Sequence, residues 1–244
     1  MNLQEEHKQF KFTPLIIGFP LYFVLLLWLV YWVELKYNLY FVKYGVYPRT
    51  LTGLRGIFFS PFIHGSIKHL FNNSIPLFIL LSSLFYFYRK IAFKILLYGT
   101  FLGGLLTWVI ARESYHIGAS GIVYLLFSFI LFSGLIRKYY RLIAVSLIVI
   151  FLYGSMIWYI LPVKEGVSWE GHLSGFIIGL LFSFIYRKHG PQPLQYDWET
   201  SSLILPEGEV EKSVAIYPKG KIFFDLPTTI LPEEDKYRLL DEEE

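Results

Sequence analysis

The sequence predicts an all-α membrane protein, a bundle of six transmembrane helices with a long interfacial first loop and a polar C-terminal tail. Three observations lead there. The 244 residues are 55% hydrophobic and 17% charged, with a mean hydropathy of +0.48, which is more apolar and less charged than a soluble domain of this length. The apolar residues gather into six runs of about spanning length, separated by short polar breaks. Charge is also segregated: positions 189–244 carry net −8 and the first 188 residues net +11. That positive excess lies in short loops between apolar runs, where membrane topology places it, so it argues for a lipid bilayer and against a nucleic-acid partner. The chain has no cysteine, which excludes disulfides, thiolate catalysis and Cys-based zinc or iron–sulfur sites.

The elements follow in chain order. Residues 1–13 are polar, with Lys8 and Lys11. No small-residue cleavage site follows the first apolar run, so residues 14–34 are expected to be a retained first helix rather than a signal peptide. Residues 35–63 are rich in Tyr and Phe and broken by Pro48, Gly53, Gly56 and Pro61. They are too polar to span and too aromatic for a simple linker, which suits an interfacial, partly embedded loop. The second to sixth helices are expected over 66–88, 91–111, 119–136, 139–161 and 171–186. The fourth and sixth are near the short end of the spanning range. The six-helix core thus covers 14–188. The segment 189–244 is Pro-punctuated, ends Asp241-Glu242-Glu243-Glu244, and is expected to be a flexible, acidic cytoplasmic tail.

Orientation follows from the basic residues. One side of the membrane would hold Lys8, Lys11, Arg89, Lys90, Lys94, Arg137, Lys138, Arg141, Arg187 and Lys188. The other would hold Arg112 and Lys164 in its short loops, with Lys36, Lys43, Arg49, Arg55 and Lys68 in or after the long first loop. Ten against seven makes the first side cytoplasmic, with both termini inside. The expected location is a bacterial cytoplasmic (inner) membrane.

In this topology the even-numbered helices all run inward. Ser120 opens the fourth, His172 opens the sixth, and His69 and Asn73 lie in the first two turns of the second. Four polar residues then share one depth, just below the outer surface, where burying such groups is costly. Each suits acyl transfer. Ser120 needs a base, and His172 is the imidazole at its depth. The Ser120 backbone N–H, at a helix start, has no intrahelical acceptor and is free for an oxyanion. His69 and Asn73, spaced i, i+4, project from one face as further donors. Gly118 and Gly121 on the fourth helix, with Gly175 and Gly179 on the sixth, allow the close approach that a Ser–His hydrogen bond requires. Tyr124, one turn beyond Ser120, could pack on the His172 ring. Taken singly these features are commonplace: a membrane serine usually bonds back to its own helix, Tyr124 alone would be core, and His64 and His116 would be structural or solvated. Their common depth favours a site. A soluble-hydrolase elbow would need glycine where Ile122 stands, and no His spacing suits zinc. No metal or cofactor is therefore expected.

These residues resemble the rhomboid family of intramembrane serine proteases. His-x4-His-x3-Asn falls on His64, His69 and Asn73, Gly-x-Ser-Gly on Gly118, Ser120 and Gly121, and His-x2-Gly-x3-Gly on His172, Gly175 and Gly179. The resemblance covers residues 14–188 and implies a Ser120–His172 dyad, with no aspartate as third member. It further implies an oxyanion hole of His69, Asn73 and the Ser120 N–H, with Tyr124 stacked on His172. Substrates would be membrane proteins, cleaved in or beside a transmembrane segment, with the site opening to the extracytoplasmic side and residues 162–170 as a cap. One departure is in the first loop, where the family often has Trp-Arg and this chain has Leu54-Arg55. Two other classes are alternatives: a catalytically silent relative that binds membrane clients, and a solute transporter. The intact Ser–His pair argues against the first, and the clustering at one outer end argues against the second. No oligomeric state is assigned.

Overall fold

The computed structural model of the chain describes residues 12–152, 158–163 and 165–191. The chain divides into residues 1–194 and 195–244. The expected cytoplasmic tail beyond Pro191, the polar segment up to Lys11, residues 153–157 of the expected fifth helix, and Lys164 lie outside the described residues.

Six longer helices carry the fold: α1 (Leu15–Lys36), α2 (Ile67–Phe87), α3 (Ala92–Ile110), α4 (Ser120–Arg137), α5 (Tyr140–Leu152) and α6 (Trp169–Ile185). A one-turn helix, Gly56–Phe59, and three 3-10 turns shape the first loop. No strand occurs among the described residues, only an isolated bridge between Val46 and His116. Helices α1 to α4 are each long and apolar enough to cross a membrane, while α5 and α6 are shorter apolar helices.

Helix ends follow local chemistry. Ser66 caps α2 by accepting the His69 N–H at 3.1 Å, which fixes the first turn that carries the histidine. Ser168 caps α6 by accepting from Gly171 N at 3.3 Å, so this helix begins two residues earlier than the apolar pattern alone suggests. The expected fifth helix does not run on to 161. Trp158–Ile160 is a 3-10 turn, and the Tyr159 carbonyl is turned toward α6.

Helix α4 sits in the middle, packed by α2, α3, α5 and α6, and two-thirds of its apolar window is buried. Its buried Leu125, Leu126, Phe129 and Ile130 meet Leu77, Leu80, Leu81 and Leu84 of α2 in one core. Helix α1 lies outside α2, fastened by Trp28 Nε1 donating to Ser74 Oγ at 3.0 Å, and leaves Leu21, Leu25, Leu29 and Trp32 exposed as lipid-facing surface. The first loop is pinned to the end of α3. Arg49 Nη1 donates to the Ala111 carbonyl at 2.7 Å, and Trp108 Nε1 donates to the Thr50 carbonyl at 2.9 Å. Arg55 closes the loop on itself, over the Tyr44 ring at 4.7 Å and donating to the Lys43 carbonyl. The indole that anchors this loop therefore comes from α3, not from the residue before Arg55.

Candidate active site

The seam between α4 and α6 places the site. A Cβ at Gly175 would overlap the Gly121 carbonyl, and one at Gly179 would overlap the Leu125 carbonyl and Ser128 Oγ. Only glycine lets the two backbones come this close, and Ser128 Oγ donates across to the Phe176 carbonyl at 2.9 Å. At the head of that seam, Ser120 Oγ lies 2.9 Å from His172 Nε2. The ring of Tyr124 stacks on His172, with centroids 4.3 Å apart and an interplanar angle of 19°.

The other imidazole nitrogen decides the chemistry. His172 Nδ1 lies 2.8 Å from the Tyr159 carbonyl. A carbonyl can only accept, so Nδ1 carries the proton and Nε2 presents its lone pair to the serine hydroxyl. That carbonyl occupies the orienting place an aspartate fills in a triad. Sequence reasoning missed Tyr159, since a backbone carbonyl has no sequence signature. Glu170, close in sequence, is used elsewhere: its buried carboxylate pairs with Arg112 Nη1 at 3.3 Å.

Opposite the Ser120–His172 pair, α2 and the turn before α4 form a second polar group. Gly118 has φ +108°, and a Cβ there would stand 2.6 Å from His69 Nε2 and 3.5 Å from Asn73 Nδ2. Its lack of a side chain is thus required by both conformation and space, and both α2 side chains are directed at the turn that leads into Ser120. Asn73 is buried, and its Nδ2 has no hydrogen-bond partner among the described residues. His64, expected to be structural or solvated, is 2% exposed and accepts the Ala119 N–H at 3.4 Å, with its ring edge-on to His69. Burial drives its imidazole down to about 3, and the neighbouring His69 adds to the effect. His116 is also buried, and burial lowers it as well.

A cavity of about 1060 Å³ opens over these groups. His69, Asn73, Ser120, Tyr124, Tyr159 and His172 line it, together with Lys68, Asn72, Arg112 and Glu165. All the expected site side chains except the packing glycines therefore share one chamber.

A family model for the Rhomboid domain matches residues 52–189, more than half of the chain. The chain belongs to the rhomboid family. Rhomboids are intramembrane serine proteases that act on membrane proteins within a bilayer, and this rhomboid is an integral membrane protein. Similar proteins include an uncharacterized protein of Mycobacterium bovis, 34% identical over 175 residues, covering 67% of this chain and 72% of the relative. An uncharacterized protein of Mycobacterium tuberculosis gives the same figures. One of Mycobacterium leprae is 34% identical over 144 residues, covering 54% of this chain and 56% of its own.

Proposed function

We propose that this rhomboid is a serine endopeptidase that cleaves peptide bonds in or next to the transmembrane segments of membrane-protein substrates, using a Ser120–His172 dyad. The observation that carries the reading is the 2.9 Å contact between Ser120 Oγ and His172 Nε2, on a ring whose other nitrogen is committed to a carbonyl. Ser120 Oγ attacks the scissile carbonyl carbon while its proton passes to His172 Nε2. The oxyanion takes hydrogen bonds from Asn73 Nδ2, His69 and the Ser120 N–H. Collapse breaks the C–N bond, and the proton on Nε2 goes to the leaving amine. Water, deprotonated by the same nitrogen, then attacks the acyl carbon; the acyl C–O bond breaks, and the proton on Nε2 returns to Ser120 Oγ. The unpaired Asn73 donor supports the oxyanion assignment: an unsatisfied buried donor costs about 1–3 kcal/mol, a cost that a passing oxyanion would relieve.

In this reading α1 to α6 are six spans, both termini are cytoplasmic in a bacterial inner membrane, and the cavity opens to the extracytoplasmic side. The acidic tail beyond the core is cytoplasmic. The test is cleavage of a reconstituted single-span substrate together with labelling by a serine-directed fluorophosphonate. Wild type should cleave and label. Ser120→Ala and His172→Ala should each abolish cleavage, and the double variant should be no worse, because two groups acting as one unit lose their effect together. A well-folded wild type inert to several substrates and to the probe would sink the protease reading and favour a silent client-binding protein.

A further inference from the structure

The two proposed catalytic side chains stand on different helices, so the distance between them depends on what holds the two helix starts together. The glycine seam permits close approach but does not fix the rotation or rise of one helix start against the other. Four residues before Ser120 stands His116, and four residues before His172 stands Ser168. His116 Nδ1 lies 2.6 Å from Ser168 Oγ. The tautomer follows from the other nitrogen: His116 Nε2 lies 3.0 Å from the Arg112 carbonyl, so Nε2 carries the proton and Nδ1 accepts from the Ser168 hydroxyl. Ser168 Oγ in turn accepts the Gly171 N–H, and the Ser168 carbonyl accepts the His172 N–H at 3.2 Å.

His116 is also held from its own side. Its backbone exchanges two hydrogen bonds with Val46 of the first loop, at 2.9 and 3.0 Å. Beside it a second link runs parallel: Glu170 Oε1 meets both Arg112 Nη1 and the Arg112 N–H at 3.3 Å. Arg112 Nη2 reaches the Val167 carbonyl at 2.7 Å. His116 is 4% exposed and Glu170 2% exposed, so each link has one buried partner, while Ser168 is half-buried and Arg112 is exposed.

Resting on the protease reading, we propose that the His116–Ser168 hydrogen bond is a positioning clasp that joins the α3–α4 turn to the first turn of α6 and thereby sets the Ser120–His172 distance. Neither residue touches the reacting atoms; His116 acts through the turn to Ser120, and Ser168 acts through the α6 cap.

The test is steady-state cleavage by full-length protein in liposomes, with the fluorophosphonate labelling rate measured in parallel and folding followed by thermal melt. His116→Phe and Ser168→Ala should each lower kcat by about 10–100-fold with KM little changed, because the defect is in dyad alignment and not in substrate binding. The double variant should be no worse than the weaker single, since both break one link. Ser168→Thr, which keeps the hydroxyl and the cap, should restore kcat and the labelling rate, and it also serves if a truncation fails to fold. A merely structural role would lower the melting temperature but leave kcat of the folded fraction intact. That result, multiplying losses in the double variant, or failure of Ser168→Thr to restore kcat would overturn the clasp while wild type stays active. An inert wild type would overturn the protease reading and the clasp with it.

Discussion

Asn73 and its neighbours show how single atoms carry the site. On the proposed mechanism, removing the Asn73 amide leaves the Ser120–His172 pair untouched but deletes one oxyanion donor, so Asn73→Ala should lower turnover by about 10²–10³-fold with the fold retained. Loss on Asn72→Ala instead would place the donor face one residue away. Pro76 supplies no N–H to the Asn72 carbonyl one turn earlier, and both residues line the cavity. His64 adds a pH dependence. Folded, its imidazole is held down at about 3 by burial, whereas in the unfolded chain it titrates at its ordinary 6.5. Its contribution to stability is therefore complete above about pH 6.5 and is lost as pH falls from there toward 3. The melting temperature should decline over that window, and His64→Asn should flatten the decline. An unchanged acid limb would assign it to other groups.

At the scale of elements, the glycine pattern in the sequence was informative because glycine at a helix seam has one geometric meaning. Gly175 and Gly179 are spaced to line one face of α6, and both lie against backbone of α4. A substitution pair tests this. Gly175→Ala must displace the Gly121 carbonyl, so it should cost about 1–3 kcal/mol and reduce cleavage by shifting His172 from Ser120. Gly103→Ala on α3 meets its nearest atom, the Gly175 Cα, at 3.8 Å, an ordinary contact, and should melt like wild type in detergent. Equal effects of the two would mean the seam is looser than drawn. Where the sequence was silent, the missing information was tertiary. The apolar run after α5 gives no sign that its end becomes a 3-10 turn whose Tyr159 carbonyl serves His172. Likewise, the sequence places His116 and Ser168 far apart, so their pairing is legible only in space. Glu170 stands two residues from His172, yet its carboxylate faces Arg112.

For the whole molecule, basic residues read as topological markers proved to differ in kind. Reporters fused near Lys138 or after Lys188 should report cytoplasm and those near Lys164 the outside; the reverse would place the site on the cytoplasmic face. Arg137, counted among the cytoplasmic cations, is no loop charge. Its guanidinium is buried at the end of α4 farthest from Ser120. Nε donates to the Arg187 carbonyl at 3.1 Å, while Nη2 donates to the Tyr186 carbonyl at 2.7 Å and to the His189 carbonyl. Nη1 reaches the Tyr88 hydroxyl at 2.7 Å and the Ser133 carbonyl at 3.4 Å. One side chain thus closes the last carbonyls after α6 and ties them to the ends of α2 and α4, where its positive charge also suits the helix C-termini. Arg137→Lys separates the two roles. Lysine keeps the charge, so reporter topology should not change, but its compact ammonium cannot reproduce the planar fork. Losing two or three buried, charge-assisted bonds should cost about 2–4 kcal/mol and lower the melting temperature by several degrees. Helix α4 spans about 27 Å at 1.5 Å per residue, so below the melt the fluorophosphonate labelling rate of Ser120 should match wild type. A topology change with unaltered melting would mean that Arg137 acts as a marker and not as the clamp at this end of the bundle.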